Sequence, residues 1–228
     1  MSRNYSETLA YWYLRLNGFF PLADFVLHWK PEEGQEKKVQ EEGEGNADCD
    51  LLAIRFPYVY EEIGGQPDDW DPKLLKGFDI MNHVVGLIVQ VKDTTACTKS
   101  DVQKAFLPWR LEYGVQRLGM FAREGEENLC DNAVQGLSKE DAPFYDVPGT
   151  DFRIGKLVLS RVKCESNSWV NVTLGDVAEF IKNRLQGDKN SAEKRSAWTY
   201  FPDDLIQYLI WSPVLEKSAK NKTGAAAK

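Results

Sequence analysis

The chain has 228 residues, a net charge of −7 and 43% apolar residues. That length buries a full core and suits one domain with decorations. The acidic balance excludes a surface coated in basic charge for bulk nucleic-acid binding, and no apolar run reaches the roughly 20 residues that span a bilayer. Seven tryptophans argue against overall disorder. The start, MSRNYSETLAYWYLRLNG, lacks the basic opening and unbroken apolar stretch of a signal peptide, so a cytoplasmic location with no membrane partner is expected. Cys49, Cys97, Cys130 and Cys164 are widely spaced with no C-x-x-C, and His28 and His83 lie far apart. Reduced thiols are expected, and a zinc site is not.

In chain order, Leu9, Tyr13 and Leu16 at helical spacing predict a helix from about Tyr5 to Leu16, ended by Gly18. FFPLADFVLHW then reads as a strand or strand pair. The acidic loop 31–46 follows; within PEEGQEKKVQEEGEG it holds six glutamates against two lysines, and it reads as a mobile loop or hairpin tip. In DCDLLAIRF both faces turn apolar after Asp50, which predicts a central strand. Residues 57–83 read as an insertion rich in Pro, Gly, Asp and aromatics. Its Tyr58, Tyr60 and Trp70 suit a satellite hydrophobic cluster better than a base-stacking platform.

GLIVQVK predicts the next strand. Side chains alternate along a strand, so Gln90 and Lys92 share one face while Leu87, Val89 and Val91 share the other. A helix is expected to open at Thr98, with Pro108 kinking or dividing it. Residues 123–149 read as a second, polar and turn-rich insertion. FRIGKLVLSRV predicts a strand, and TLGDVAEFIKNRL an amphipathic helix capped by Thr173 with Asp176. A last helix is expected around PDDLIQYLIWS. These elements divide the chain into an α/β domain over 1–187, a C-terminal helical extension over 188–216 and a disordered tail over 217–228. From Lys182 onward nine Lys or Arg face five Asp or Glu, an asymmetry permissive for a basic groove.

The polar groups carry the chemistry. They run in the order Glu7 on the first helix, Asp50 near the start of a buried strand, and Gln90-Val91-Lys92 at the end of another, followed by a helix. This resembles the PD-(D/E)XK superfamily of restriction-endonuclease-like nucleases, over Tyr5 to about Leu185 with 57–83 and 123–149 as insertions. The resemblance implies a three-layer α/β sandwich with a central mixed sheet. It also implies magnesium, with manganese able to substitute, and metal-dependent hydrolysis of nucleic acid, with DNA favoured over RNA and both open, in a role such as DNA processing or defence. Asp50 matches the family aspartate, Lys92 the family lysine, and Glu7 the first-helix glutamate of some branches. Gln90 stands where the family has an acid, a Q-x-K variant similar to that of restriction enzymes that attack modified DNA, and the family's proline before the aspartate is missing.

Magnesium takes hard oxygen ligands, here Asp50, the Gln90 amide oxygen and the Val91 carbonyl, while Lys92 orients water or stabilises phosphate charge. An amide in place of a carboxylate predicts weak magnesium affinity unless Glu7 or Asp48 restores charge. Each residue also has a plainer role. Glu7 completes a capping box with Asn4, Asp48 enters a strand, and Asp50 and Lys92 end strands in water. The alternative function is a catalytically inactive relative that binds nucleic acid or a protein partner, and pairing with a second copy is compatible with either.

Overall fold

Six strands form one mixed sheet in a computed structural model of the chain, which describes residues 4–28, 46–59, 67–121, 127–164, 166–186 and 203–209. Helix α1 (Tyr5–Leu16) leads into strands β1 (Phe20–His28) and β2 (Asn46–Arg55), then α2 (Pro72–Phe78) and β3 (Val84–Lys92). Helix α3 (Lys99–Gln103), a 3-10 turn at Lys104–Phe106, α4 (Pro108–Leu118) and α5 (Glu127–Ser138) follow. Strands β4 (Phe144–Asp146), β5 (Phe152–Ser160) and β6 (Val170–Thr173) and helix α6 (Leu174–Gln186) come next, and residues 204–209 are again helical.

Strands β1, β2 and β3 form an antiparallel meander, and β5 lies parallel to β3 along its whole length. Because β3 takes one edge of β5, the other edge is shared. Strand β4 pairs antiparallel with its first half and β6 parallel with its second. The parallel β3–β5 pair requires a crossover, supplied by the α3 to α5 segment. Alternation along the strands sends Leu51, Ala53, Leu87, Val89, Leu157 and Leu159 to a core shared with α1, α2 and α6. Leu52, Ile88, Ile154 and Val158 face a second core against α3, α4 and α5. Helices therefore cover both faces of the sheet, as in a three-layer sandwich.

Local chemistry sets the boundaries. The Asn4 side chain accepts the Glu7 N–H at 2.8 Å to open α1, and Gly18, at φ +79°, closes the turn that follows. Glycine adopts that left-handed backbone without strain, and a Cβ there would stand 2.9 Å from Val59 Cγ1. Pro108 divides the expected helix: Leu107 is extended and α4 restarts with the proline in its first turn, where its missing N–H costs nothing. Thr173 Oγ1 accepts the Asp176 N–H at 3.1 Å to cap α6, as its sequence predicts.

Segments read as insertions contain structure. Asp71 caps α2 through the Lys73 N–H, and Trp70, Leu74, Phe78 and Ile80 join the first core. Within residues 123–149, the polar, turn-rich reading gives way to α5 and β4. Ala133 and Leu137 at helical spacing seat α5 in the second core, and Gly136 lets Tyr145 lie against the helix. Trp70 is buried beneath the Arg55 guanidinium, 4.1 Å from its ring centre, whereas Tyr58 is exposed, so the two do not share a platform. Tyr60, the acidic loop apart from Asn46, and the tail 217–228 lie outside the described residues. Ile206 and Leu209 of the expected last helix are buried in the same core as α1 and α6.

Candidate functional site

Where β2 and β3 part, their ladder gives way to side chains. The last register pair at this end is Leu51 with Val89, and the next positions are Asp50 and Gln90. Asp50 Oδ2 accepts the backbone N–H of Val91 at 2.6 Å, doing with a carboxylate what a strand neighbour would do with a carbonyl. The Gln90 amide nitrogen donates to the same Oδ2 and lies 3.4 Å from the Val91 carbonyl oxygen. Asp50 and Gln90 are thus brought into direct contact on the face that also carries Leu52, Ile88 and Val158.

Gln90 is buried, while Asp50, Val91 and Lys92 are half-buried. Lys92 follows Gln90 on the same face and sits in register with the buried Ser160 of β5. Its charge also reaches Asp101 near the start of α3. The Thr98 hydroxyl is the main reason that the Asp101 carboxyl lies below its ordinary value, with Lys104 and Lys92 adding to the effect. Glu7 is elsewhere engaged: its Oε1 accepts from Asn4 Nδ2 at 2.8 Å, completing the cap of α1. The structure thus places Asp50, Gln90, Val91 and Lys92 at one fork and Glu7 in a helix cap. The side chain of Asp48 lies outside what is described.

Two polar residues extend this end of the sheet. Asn171 of β6 donates to Ser160 Oγ at 2.7 Å and to the Val158 carbonyl at 3.0 Å, and its Oδ1 accepts the Cys164 N–H at 2.9 Å. The sequence does not point to Ser160 or Asn171 as site residues, although a serine ending an apolar strand is an available signal. Asn171 also lines an open cavity of about 630 Å³ with Lys99, Lys163, Ser166, Asn167 and Asp141. The cysteines are free thiols. Burial, and next the Asp50 carboxylate, pushes Cys49 up to about 12, so this thiol is protonated at neutral pH and is no nucleophile.

The oxygen donors at the fork match hard-cation chemistry in type: one carboxylate, one backbone carbonyl and, with the amide turned over, Gln90 Oε1. As the side chain lies, the Gln90 nitrogen faces both Asp50 Oδ2 and the Val91 carbonyl oxygen. A bound ion therefore requires a half-turn of that amide. Among the described residues no group of three or more His, Cys, Asp or Glu side chains converges to hold a metal. Also among the described residues, no helix is long and apolar enough to cross a membrane. Compared with protein-family models, curated proteins and solved structures, the chain gives no match.

Proposed function

We propose that the β2–β3 fork is a divergent phosphodiester-hydrolysing site and that the protein is a nuclease acting on nucleic acid, DNA in preference to RNA. The observation that carries this reading is the convergence of Asp50, Gln90 and the Val91 backbone at the end of a strand pair, with Lys92 on the same face. The antiparallel β1–β2–β3 meander followed by a helical crossover to parallel β5 supports the likeness to restriction-endonuclease-like nucleases.

Within that reading, Asp50, the Val91 carbonyl and, with its amide turned over, Gln90 Oε1 would hold magnesium or manganese. When bound, the ion would polarise a phosphoryl oxygen and make a water more acidic. Lys92 places its ammonium where negative charge grows on the phosphate. Asp50 also fixes the Val91 N–H, which holds Val91 and Lys92 in place relative to the carboxylate.

A second reading draws on the Gln90 amide. Its nitrogen already bridges Asp50 and the Val91 carbonyl, so the fork is satisfied internally and suits an inactive protein that binds nucleic acid or a protein partner. Incubation of labelled single- and double-stranded DNA and RNA with magnesium or manganese separates the two. Cleavage abolished by both Asp50→Ala and Lys92→Ala is expected from a nuclease. Binding without cleavage in all three proteins supports the inactive relative.

A further inference from the structure

Lys156 lies in the middle of β5, in register with Ile88, between the fully buried Ile154 and Val158. Only 4% of it is exposed. Its Nζ donates to the Leu137 carbonyl in the last turn of α5 and stands 5.9 Å from the centre of the Phe106 ring. A lysine capping a helix C-terminus is favourable, but exposed lysines do that without losing their water. Among the described residues no carboxylate pairs with Lys156, so its charged form is poorly compensated where it lies. A cavity of about 310 Å³ opens onto it, with Phe106, Leu107, Leu137 and Trp169 as apolar walls.

We propose that this cavity binds a small aldehyde with an apolar body, held through a reversible imine to Lys156. The lone pair of the neutral amine attacks the carbonyl carbon and a C–N bond forms. The nitrogen gives up both of its protons, the carbonyl oxygen leaves with them as water, and a C=N bond remains, with no oxidant or reductant consumed. Burial brings the amine down to about 8, so a useful fraction is neutral near physiological pH, whereas an ordinary lysine is almost entirely protonated there. The aromatic and leucine walls supply apolar area for the aldehyde's body. The walls contributed by α3, the 3-10 turn and the segment before β6 are uncharged, namely Gln103, Phe106, Ser168 and Trp169. The charged side chains sharing the cavity are Lys139 and Glu140, just past α5.

The test treats the full-length protein with benzaldehyde and sodium cyanoborohydride, which reduces an imine to a stable benzylamine, and maps every lysine by mass spectrometry. Lys156 is expected to label about tenfold faster than the exposed Lys73 and Lys76 at pH 7. Its rate should saturate with benzaldehyde concentration and rise with pH through a midpoint near 8. Labelling of Lys156 no faster than that of the exposed lysines overturns the proposal, as does a rate that stays linear in benzaldehyde up to its solubility. Neither outcome depends on nuclease activity.

Discussion

Gln90 sets the charge of the fork. In place of a second acid it brings an amide whose nitrogen satisfies Asp50, so the pair needs no ion to be stable. Gln90→Glu places two carboxylates in contact, and without a cation their repulsion raises the proton affinity of one of them. The variant should therefore melt below the wild type in chelator and recover when magnesium is added, through binding linked to folding. Its magnesium affinity, read by calorimetry, should exceed that of the wild type by about tenfold or more, because one further carboxylate ligand is present. A variant whose melting ignores magnesium would show that the fork does not take the ion. Strand alternation made the shared face of Gln90 and Lys92 legible in the sequence, whereas Asp50 was joined to them only through the family resemblance. Lys156 was not legible, since FRIGKLVLS reads as a strand whichever way its lysine points, and its burial comes from Leu137 and Phe106, distant in sequence.

Elements with long apolar periods were legible, including α1, α6 and the central strands. Those that rely on tertiary contacts were not. Helix α5 interrupts its stripe with Asp131, Asn132, Gln135 and Gly136, strand β6 is four residues long, and α2 opens on a proline that reads as a breaker until Asp71 is seen to cap it. Gly136 shows how context overrides propensity. An alanine there would favour an isolated helix by about 1 kcal/mol, yet its Cβ would clash with Tyr145 Cδ2. The ring must move as a body, because Cε2 and Cγ are also too close. Gly136→Ala should therefore lower stability by about 1–3 kcal/mol in a denaturant titration, the usual cost of overpacking. A gain would mean that Tyr145 is free to shift.

At the scale of the molecule, the end of β2 away from the fork is organised by Arg55, whose side chain is fully buried. Its Nε donates to the Asn17 carbonyl at 3.0 Å, and Nη1 donates to the carbonyls of Phe56 and Ile80. One guanidinium thus ties the end of α1 to β2 and to the segment between α2 and β3. Asn17 adds to the same join by accepting the Asp71 N–H at 2.7 Å, and the Tyr13 hydroxyl donates to Asp71 at 2.8 Å. Burial lowers Arg55 to about 10, and among the described residues carbonyls and the Trp70 ring are what hold this cation. Arg55→Ala leaves those carbonyls unpaired and a cavity beside Trp70. It should cost about 3 kcal/mol, a drop of roughly 6–12 °C in melting temperature for a chain of this size. Since β2 carries both Arg55 and Asp50, this join also holds the strand that brings the carboxylate to the fork.

The most direct measurement is the single-turnover rate of double-stranded DNA cleavage in magnesium by the wild type, Asp50→Ala and Lys92→Met, each checked for its fold by circular dichroism. A phosphodiester site at the fork predicts measurable cleavage by the wild type and a loss of about a hundredfold or more in each variant, the usual effect of removing a group that stabilises the transition state. Cleavage that survives both substitutions in folded protein would contradict a catalytic role for the fork and move the chemistry elsewhere on the molecule.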